Sequence, residues 1–269
     1  MMERPFVLLA LGTSVALTSV ARHPSDPERH CFVQREDVGA IENGPYDGRF
    51  TFFRVRFEPS SGGGGGGFRG FRGDKKWDHD TPRAERHMMK IVREISTIQP
   101  QMDCGAIYAF GEAESFKYPI AYVSEPGFWT MSEEELKGVR DYVHKGGFLI
   151  FDDFGMQHWY NFEARWREAF PDLDIVKLDA SHSVYDAFYK IPTLEGFTAP
   201  QQSTFGAIPA EFYGAFEDND PKKRLVMVAN YNNDLGDYME WSDESFMPIA
   251  LSNEAYKLMI DYVVYAMTH

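Results

Sequence analysis

Cysteine is scarce in this sequence. Only Cys31 and Cys104 occur among the 269 residues, and two cysteines cannot stabilise a domain of this size through disulfide bonds. Export from the cell would permit a bond between them, whereas the apolar run that begins at Cys104 is equally typical of a buried free thiol. The sequence therefore excludes a disulfide-rich fold and leaves the pairing of the two cysteines open.

Common signatures of nucleophilic and nucleotide chemistry are also missing. No G-x-S-x-G or G-x-C-x-G elbow occurs, so a serine or cysteine nucleophile on a sharp turn is not indicated. The glycine run at 62–67 is not followed by Gly-Lys-Ser/Thr, which excludes a phosphate-binding loop. The backbone freedom of these glycines instead predicts a mobile loop over 60–73.

Positive charge is in short supply as well. The chain has 27 Lys and Arg against 41 Asp and Glu, which gives a net charge of −14. A surface this acidic repels nucleic acid and anionic lipid, so we expect neither as a partner. It would accept metal ions, cationic ligands or basic proteins, although acidic residues also serve solubility alone. Hydrophobic residues make up 43% of the chain, which is enough for a packed core.

A hydrophobic run follows Arg4 near the N-terminus and ends with small residues at Ser19 and Ala21. This pattern predicts a signal peptide over 1–21 and export to a periplasm or the outside. The run is shorter than the roughly 20 residues of a spanning helix, so we expect no transmembrane segment after cleavage. An uncleaved N-terminal anchor is the alternative. The residues at 22–48 are rich in proline, glycine and charge, which predicts a lead-in segment.

Strand and helix patterns alternate over 49–269. The helix predicted near 131–145 has the clearest ends, with Ser132 and Glu135 as a capping box and Gly146 as the stop. Another helix is predicted to begin at Thr81 as N-cap, followed by Pro82. Apolar or alternating runs predict strands at 49–57, 105–110, 118–124, 147–151, 175–178 and 225–230. This alternation predicts one α/β domain over 49–269 with a mostly parallel central sheet.

Acidic residues and histidines follow several of the predicted strands. Asp152 and Asp153 end the buried run at 147–151, and His158 lies in the following loop. Because neighbouring residues of a strand point to opposite faces, we expect one aspartate to face a crevice. The other should cap the next turn or helix through backbone N–H groups.

Two further strand ends carry the same residue types. His182 follows the run at 175–178, and Asp234 and Asp237 follow the run at 225–230. Ligands of α/β sheets bind beyond the carboxyl ends of the strands, so we expect these side chains to meet in one crevice. Such a group could hold a hard or borderline metal ion or perform acid/base chemistry. The alternative is that they form ion pairs and caps, since no HExxH or CxxC spacing supports a metal site.

Several aromatic residues lie near these loops, and Trp159 and Tyr160 directly follow His158. They could line the bottom of a groove that binds sugar or peptide, or they could pack in the core.

Five stretches, taken together and in this order, resemble a known bacterial family. The similarity runs from about 50 to 269, and its most specific feature is a GGF strand ending in Asp152 and Asp153, combined with a terminal YAMTH. The stretches lie at 77–97, 118–154, 178–191, 230–241 and 256–269. The family is known as domain of unknown function 4159.

This resemblance implies a class I glutamine amidotransferase-like fold, that is, a flavodoxin-like three-layer sandwich, in an exported bacterial protein without an established activity. By position it implies that the acidic pair at 152–153 and His182 belong to the family pattern, although Ser183 stands where the family usually has proline. It also assigns Trp77, Asp78 and Asp80 to a tryptophan-acid motif. Acidic residues occupy the place of the amidotransferase cysteine, so glutaminase chemistry is not expected.

Two functions are therefore considered. The first is an exported binding module of the cell envelope, without a cofactor, whose partner is an envelope protein or glycan. The second is a metal-assisted or acid/base hydrolase acting on envelope glycan or peptide, with a divalent metal as its cofactor. A purely structural partner subunit is a further alternative. The candidate catalytic residues are Asp152, Asp153 and His182, and the candidate ligand-binding residues are Asp80, His158, Trp159, Asp234 and Asp237.

Overall fold

A seven-stranded sheet forms the centre of the molecule. The computed structural model describes residues 43–60, 75–102, 105–197, 208–244 and 247–269. The predicted signal peptide, both cysteines, and nearly all of the predicted lead-in segment and glycine-rich loop lie outside these ranges. The strands are β1 (Phe53–Val55), β2 (Ala106–Tyr108), β3 (Ile120–Ser124), β4 (Phe148–Phe154), β5 (Val176–Lys177), β6 (Glu211–Phe216) and β7 (Leu225–Tyr231).

Helices accompany the sheet on the chain segments between and after the strands. They are α1 (Arg83–Ile95), α2 (Glu133–His144), α3 (His158–Ala169), α4 (Leu235–Glu240) and α5 (Ile249–Thr268). Short 3-10 turns occur at Ala113–Lys117, Pro126–Phe128, Ser183–Tyr185 and Glu217–Asn219. None of the helices in the described ranges combines the length and the apolar character needed to span a bilayer.

The ends of the first two helices test the predicted caps. The capping box of α2 is confirmed, because the Ser132 hydroxyl accepts the N–H of Glu135 at 3.2 Å and Glu135 accepts the N–H of Ser132 at 2.8 Å. The predicted cap of α1 by Thr81 is wrong. Its N-cap is Pro82, without a side-chain hydrogen bond, and the backbone carbonyl of Asp80 accepts the N–H of Ala84 instead.

The strand order is β2-β1-β3-β4-β7-β6-β5. The first five strands in this order run parallel to one another, which confirms the predicted mostly parallel sheet. β6 pairs antiparallel with both β7 and β5. Because β2 and β3 lie on opposite sides of β1, the connections after β1 and after β3 diverge at the carboxyl edge. In open α/β sheets a crevice forms at such a point.

The core lies on both faces of the sheet. All residues of β4 are buried, and they alternate between two clusters: Phe148 and Ile150 contact the first, Leu149 and Phe151 the second. The first cluster includes residues of α1, α4 and α5, and the second includes residues of α2 and α3. Since helices cover both faces, residues 148–151 of β4 are apolar without alternation, as is typical of a parallel strand.

A buried ion pair fixes the segment that follows β1. Arg54, in the middle of β1, is 1% exposed, and its Nε donates to Glu85 of α1 at 2.6 Å. Its Nη1 donates to the carbonyl of Trp77 at 3.1 Å, and its guanidinium lies 4.9 Å from the ring centroid of Tyr122 in β3. A buried charge requires such partners. They hold residues 77–80 and the start of α1 against the sheet.

The pH dependence of stability should reveal the buried carboxylate of Asp261 in α5. Its Oδ1 accepts the N–H groups of Phe188 and Tyr189, at 2.9 and 2.7 Å. Burial raises its pKa from 3.8 to about 6. A raised pKa in the folded state means that the folded chain holds this proton more tightly than the unfolded chain. The resulting stabilisation is complete below pH 3.8 and is lost as the pH rises through 6.

We therefore expect Asp261→Asn, which keeps an acceptor for both N–H groups, to become more stable relative to the wild type as the pH rises from about 4 to 7. The relative gain should be roughly 2 kcal/mol, because one pKa unit corresponds to about 1.4 kcal/mol. Urea unfolding at several pH values measures it. A difference that stays constant across this range would contradict the assigned titration.

Candidate functional site

Asp152 lies near the end of β4 and joins three other elements to it. Its Oδ2 accepts the hydroxyl of Tyr122 at 2.7 Å and the N–H groups of Leu235 and Gly236 at 2.8 and 3.0 Å. Its Oδ1 accepts the amide of Asn230 at 3.0 Å. Burial raises the pKa of Asp152 above its usual value, although these hydrogen bonds oppose the shift. The contacts make Asp152 a structural residue. It accepts backbone N–H groups, as expected for one member of the pair, but they belong to the distant helix α4 and not to the next turn or helix.

Asp153 points the other way. The register between β4 and β7 shifts between Phe151 and Phe154, and Asp153 adopts a left-handed φ of 59° in this irregularity. Its Oδ2 lies 3.4 Å from the Ser124 hydroxyl and 3.8 Å from Nδ1 of His79. Burial raises the pKa of Asp153 to about 7. Asp153 is therefore the aspartate that faces the crevice.

One side of Asp153 is compensated by positive charge. Nδ1 of His79 lies 3.1 Å from Glu125, which follows β3, and Lys76 lies 3.3 Å from the other oxygen of Glu125. The carboxylates of Asp153 and Glu125 raise the pKa of His79 to about 11. His79 is consequently protonated at neutral pH and forms an ion-pair network with the two acids.

The other side of Asp153 meets further carboxylates. One ligand atom from each of Asp80, Asp153 and Asp234 lies within 4.8 Å of the others, and the same holds for Asp80, Asp237 and Glu240. The Oδ2 atom of Asp80 is buried and accepts no hydrogen bond from the described residues. Burial, and then the charge of Asp153, raise the pKa of Asp80 and of Asp234 well above the usual range. Buried acidic groups are thus concentrated here.

Helix α4 presents most of these acids. Asp234 is its N-cap and accepts the N–H of Asp237 at 2.8 Å. Asp234, Asp237 and Glu240 are spaced three residues apart, so they lie along one side of the helix. Gly236 permits the close approach of Asp80, because a Cβ atom there would stand 2.1 Å from Oδ2 of Asp80.

Of the other predicted site residues, His158 and Trp159 lie at the start of α3. The His158 ring packs 4.8 Å from the ring of Phe128, and burial lowers its pKa. The charges of Glu125 and Lys76 act on His158, and His158 belongs to none of the acidic groups above. Trp159 packs 4.5 Å from Tyr213 and 5.0 Å from Tyr231, so it is a partly buried residue that packs against the second core cluster.

His182 does not reach the site. The chain folds back along α5 after β5, and the His182 ring lies 6.1 Å from that of Tyr265. The Tyr265 hydroxyl accepts the N–H of Leu225, the first residue of β7. The acids lie beyond the last residue of β7, roughly 20 Å away along the strand. The expected convergence of His182 with Asp153 is therefore wrong, because the segment after a short edge strand left the carboxyl edge.

Sequence reasoning missed His79, Glu125 and Glu240. Glu125 directly follows β3, and Asp152 and Asp153 lie near the end of β4. The rule that ligands bind beyond the carboxyl ends of strands would therefore have found Glu125. Glu240 continues the spacing of Asp234 and Asp237, but the short helix α4 was not predicted. His79 had no local signal beyond its position beside Asp80.

Comparison with known proteins places these residues within one family region. The family model described as Domain of unknown function (DUF4159) matches residues 68–267. The matched region is most of the chain and includes every acid of the site. A search of curated proteins gave no match.

The two neighbouring aspartates should respond to mutation in opposite ways. Asp152→Ala leaves buried donors of Tyr122, Asn230 and α4 without an acceptor, which should lower the free energy of unfolding by about 3 kcal/mol. Asp153→Asn is the matched control. It removes a buried charge amid other carboxylates, so stability should stay unchanged or rise. Urea unfolding in the presence of a chelator measures both, and equal losses in the two variants would contradict the assignment.

Proposed function

This chain belongs to the DUF4159 family, and we propose that it is a binding domain whose acidic site holds a divalent cation. One observation carries the proposal. The buried Oδ2 of Asp80 has no hydrogen-bond partner in the described part of the chain, and Asp80 shares a 4.8 Å group with Asp153 and Asp234. Oxygen ligands lie about 2.0–2.6 Å from Mg²⁺ or Ca²⁺. Two ligands on opposite sides of one ion are therefore about 4–5 Å apart, which agrees with the 4.8 Å of this group.

Charge supports the same proposal. Buried carboxylates repel one another, and in this group either protons or a cation must neutralise them. His79 and Lys76 compensate Glu125 and one side of Asp153, but they do not belong to the group of Asp80 and Asp234. A donor set made of carboxylate oxygens favours hard ions such as Mg²⁺, Ca²⁺ or Mn²⁺. When bound, such an ion would supply Lewis acidity to an oxygen atom of a ligand.

We also propose a flavodoxin-like three-layer sandwich of the amidotransferase type for the fold. The order β2-β1-β3-β4-β7 has the same relative sequence as the 2-1-3-4-5 order of flavodoxin-like sheets, in which ligands bind where the connections diverge. The acidic site lies at that place, after β1, β3 and β4. Asp152 and Asp153 end β4, where an amidotransferase would have its cysteine, and this supports binding rather than glutaminase chemistry.

The setting proposed for this function is the cell envelope. The N-terminal apolar run with Ser19 and Ala21 supports export to the periplasm or the outside. The net charge of −14 argues against nucleic acid as a partner. The partner we propose is an envelope protein or glycan that contacts the carboxyl edge of the sheet.

Cation-assisted hydrolysis of envelope glycan or peptide is a second candidate, favoured by His79. Its Nδ1 lies 3.8 Å from Asp153, and a protonated imidazole beside a cation site is placed to stabilise an oxygen atom that gains negative charge during hydrolysis. Release of soluble fragments from purified peptidoglycan tests it. Activity that requires the cation and disappears in Asp153→Asn would support hydrolysis, whereas none at any cation concentration would leave binding alone.

Thermal unfolding tests the cation site. After removal of bound metal with a chelator, addition of Mg²⁺, Ca²⁺ or Mn²⁺ at 100 times its dissociation constant should stabilise the protein by about 2.7 kcal/mol. For a chain of this size the midpoint should rise by about 5–10 °C. The rise should be absent in Asp80→Asn, which keeps the shape of the side chain and removes its charge.

Asp141→Asn is the control for non-specific effects of charge. The side chain of Asp141 in α2 is 38% exposed and pairs with Lys137, and this variant should keep the full rise in melting temperature. If the wild type shows no rise with any of the three ions, or Asp80→Asn keeps the rise, the proposed cation site is wrong.

A further inference from the structure

We infer that Asn233 supplies an amide oxygen to the cation site and that the completed site selects Ca²⁺ over Mg²⁺. The inference rests on the proposed function and adds a neutral ligand to the three carboxylates of Asp80, Asp153 and Asp234. It starts from a second side chain without partners. Asn233 is 0% exposed, and neither its Oδ1 nor its Nδ2 has a hydrogen-bond partner among the described residues.

The amide of Asn233 differs in this respect from two other asparagines of the same stretch. Asn230 donates to Asp152 at 3.0 Å. The Oδ1 atom of Asn232 accepts the N–H of Met156 at 3.1 Å. These two amides therefore hold parts of the scaffold together, whereas that of Asn233 does not. A buried amide without partners costs free energy, and a bound ion or water molecule is the usual explanation for such a group.

The reversal of the chain after β7 brings Asn233 to the carboxylates. Asn232 has a left-handed φ of 55°, and Asn233 then forms an antiparallel bridge with Phe154, the last residue of β4. In such a pair the preceding residue of one chain faces the following residue of the other. Asp153 is therefore opposite Asp234, which agrees with the short distance between their carboxylates. Asn233 thus lies at the same edge of the sheet, directly before one ligand of the proposed ion.

Both polar atoms of the Asn233 amide gain a partner when an ion is bound. The Oδ1 atom is a hard, neutral oxygen of the kind that Ca²⁺ sites combine with carboxylates. The Nδ2 group can donate to a water molecule or to a ligand oxygen bound to the same ion. Binding of the ion therefore removes the cost of burying this amide, and the amide in turn raises the affinity for the ion.

Burial of the ligand atoms favours Ca²⁺ over Mg²⁺. Asp153 and Asp234 are buried, and so is the Oδ2 atom of Asp80. Mg²⁺ loses its water reluctantly and keeps several water molecules in most protein sites, whereas Ca²⁺ accepts about six to eight oxygen ligands in flexible geometry. A buried set of three carboxylates and one amide oxygen offers several ligands from the protein and little room for water. Such a set suits Ca²⁺.

Calorimetric titration of the full chain with Ca²⁺ and with Mg²⁺, after removal of bound metal by a chelator, tests the inference. We expect the wild type to bind Ca²⁺ more tightly than Mg²⁺. Asn233→Leu keeps the approximate shape without the polar atoms. It should weaken Ca²⁺ binding roughly 10- to 100-fold, the range for groups that support a metal site, and should weaken Mg²⁺ binding less. Asn233→Asp restores an oxygen ligand and should keep Ca²⁺ binding.

The melting temperature without metal separates a ligand from a structural amide. Asn233→Leu removes two unpartnered polar atoms from the interior, so its melting temperature in chelator should equal or exceed that of the wild type. Asn230→Leu is the matched control, because it takes a hydrogen bond from buried Asp152 and should lower the melting temperature. An equal fall in both variants would show that Asn233 has a structural partner and would overturn the inference.

Two binding results would also overturn it and leave the proposed cation site in place. They are Ca²⁺ binding that is unchanged in Asn233→Leu, and Mg²⁺ binding by the wild type as tight as that of Ca²⁺. No binding of Ca²⁺, Mg²⁺ or Mn²⁺ by the wild type would instead overturn the proposed function itself. If circular dichroism shows that Asn233→Leu does not fold, Asn233→Ala replaces it, with the same expected loss of Ca²⁺ affinity.

Discussion

The carboxylate of Asp152 is the contact on which the site depends. It accepts hydrogen bonds from β3, from β7 and from the first turn of α4. Three elements that are distant in sequence are thereby fixed to the end of β4. Since each donor is buried, none can exchange its bond for water without a penalty. The acids of α4 lie beside Asp80 and Asp153 because the carboxylate of Asp152 holds the first turn of this helix in place.

Two further constraints bring Asp80 to the same place. The buried pair of Arg54 and Glu85 holds the segment before α1 against β1, and the carbonyl of Trp77 accepts a bond from the same arginine. Gly236 leaves room for the carboxylate of Asp80 against α4. The fold therefore places like charges together in a buried environment, which is costly unless a bound ligand neutralises them. Such an arrangement is more typical of a functional site than of a structural one.

The features that were predicted correctly depend on local order in the chain. The run at 147–151 is buried on both faces whatever its partners are, and the capping box of Ser132 and Glu135 closes within one helical turn. The assignment of opposite roles to Asp152 and Asp153 follows from the alternation of a strand. Asp234 and Asp237 were found because they follow a clear strand pattern, whereas Asp80 was found only through the family resemblance. β6 was missed, as its six residues include Gly214, which weakens a strand pattern.

The sequence by itself determined the class of fold, the family resemblance, the acidic charge and the strand ends at which acids occur, because each of these follows from composition or short-range periodicity. Only the tertiary structure decided which acids meet. It placed His182 near the opposite edge of the sheet, packed Trp159 against aromatic rings and gave Asp152 a structural role. It also added His79, Glu125 and Glu240. The physical reason is that the position of a loop depends on long-range packing and on buried hydrogen bonds, which no local pattern encodes.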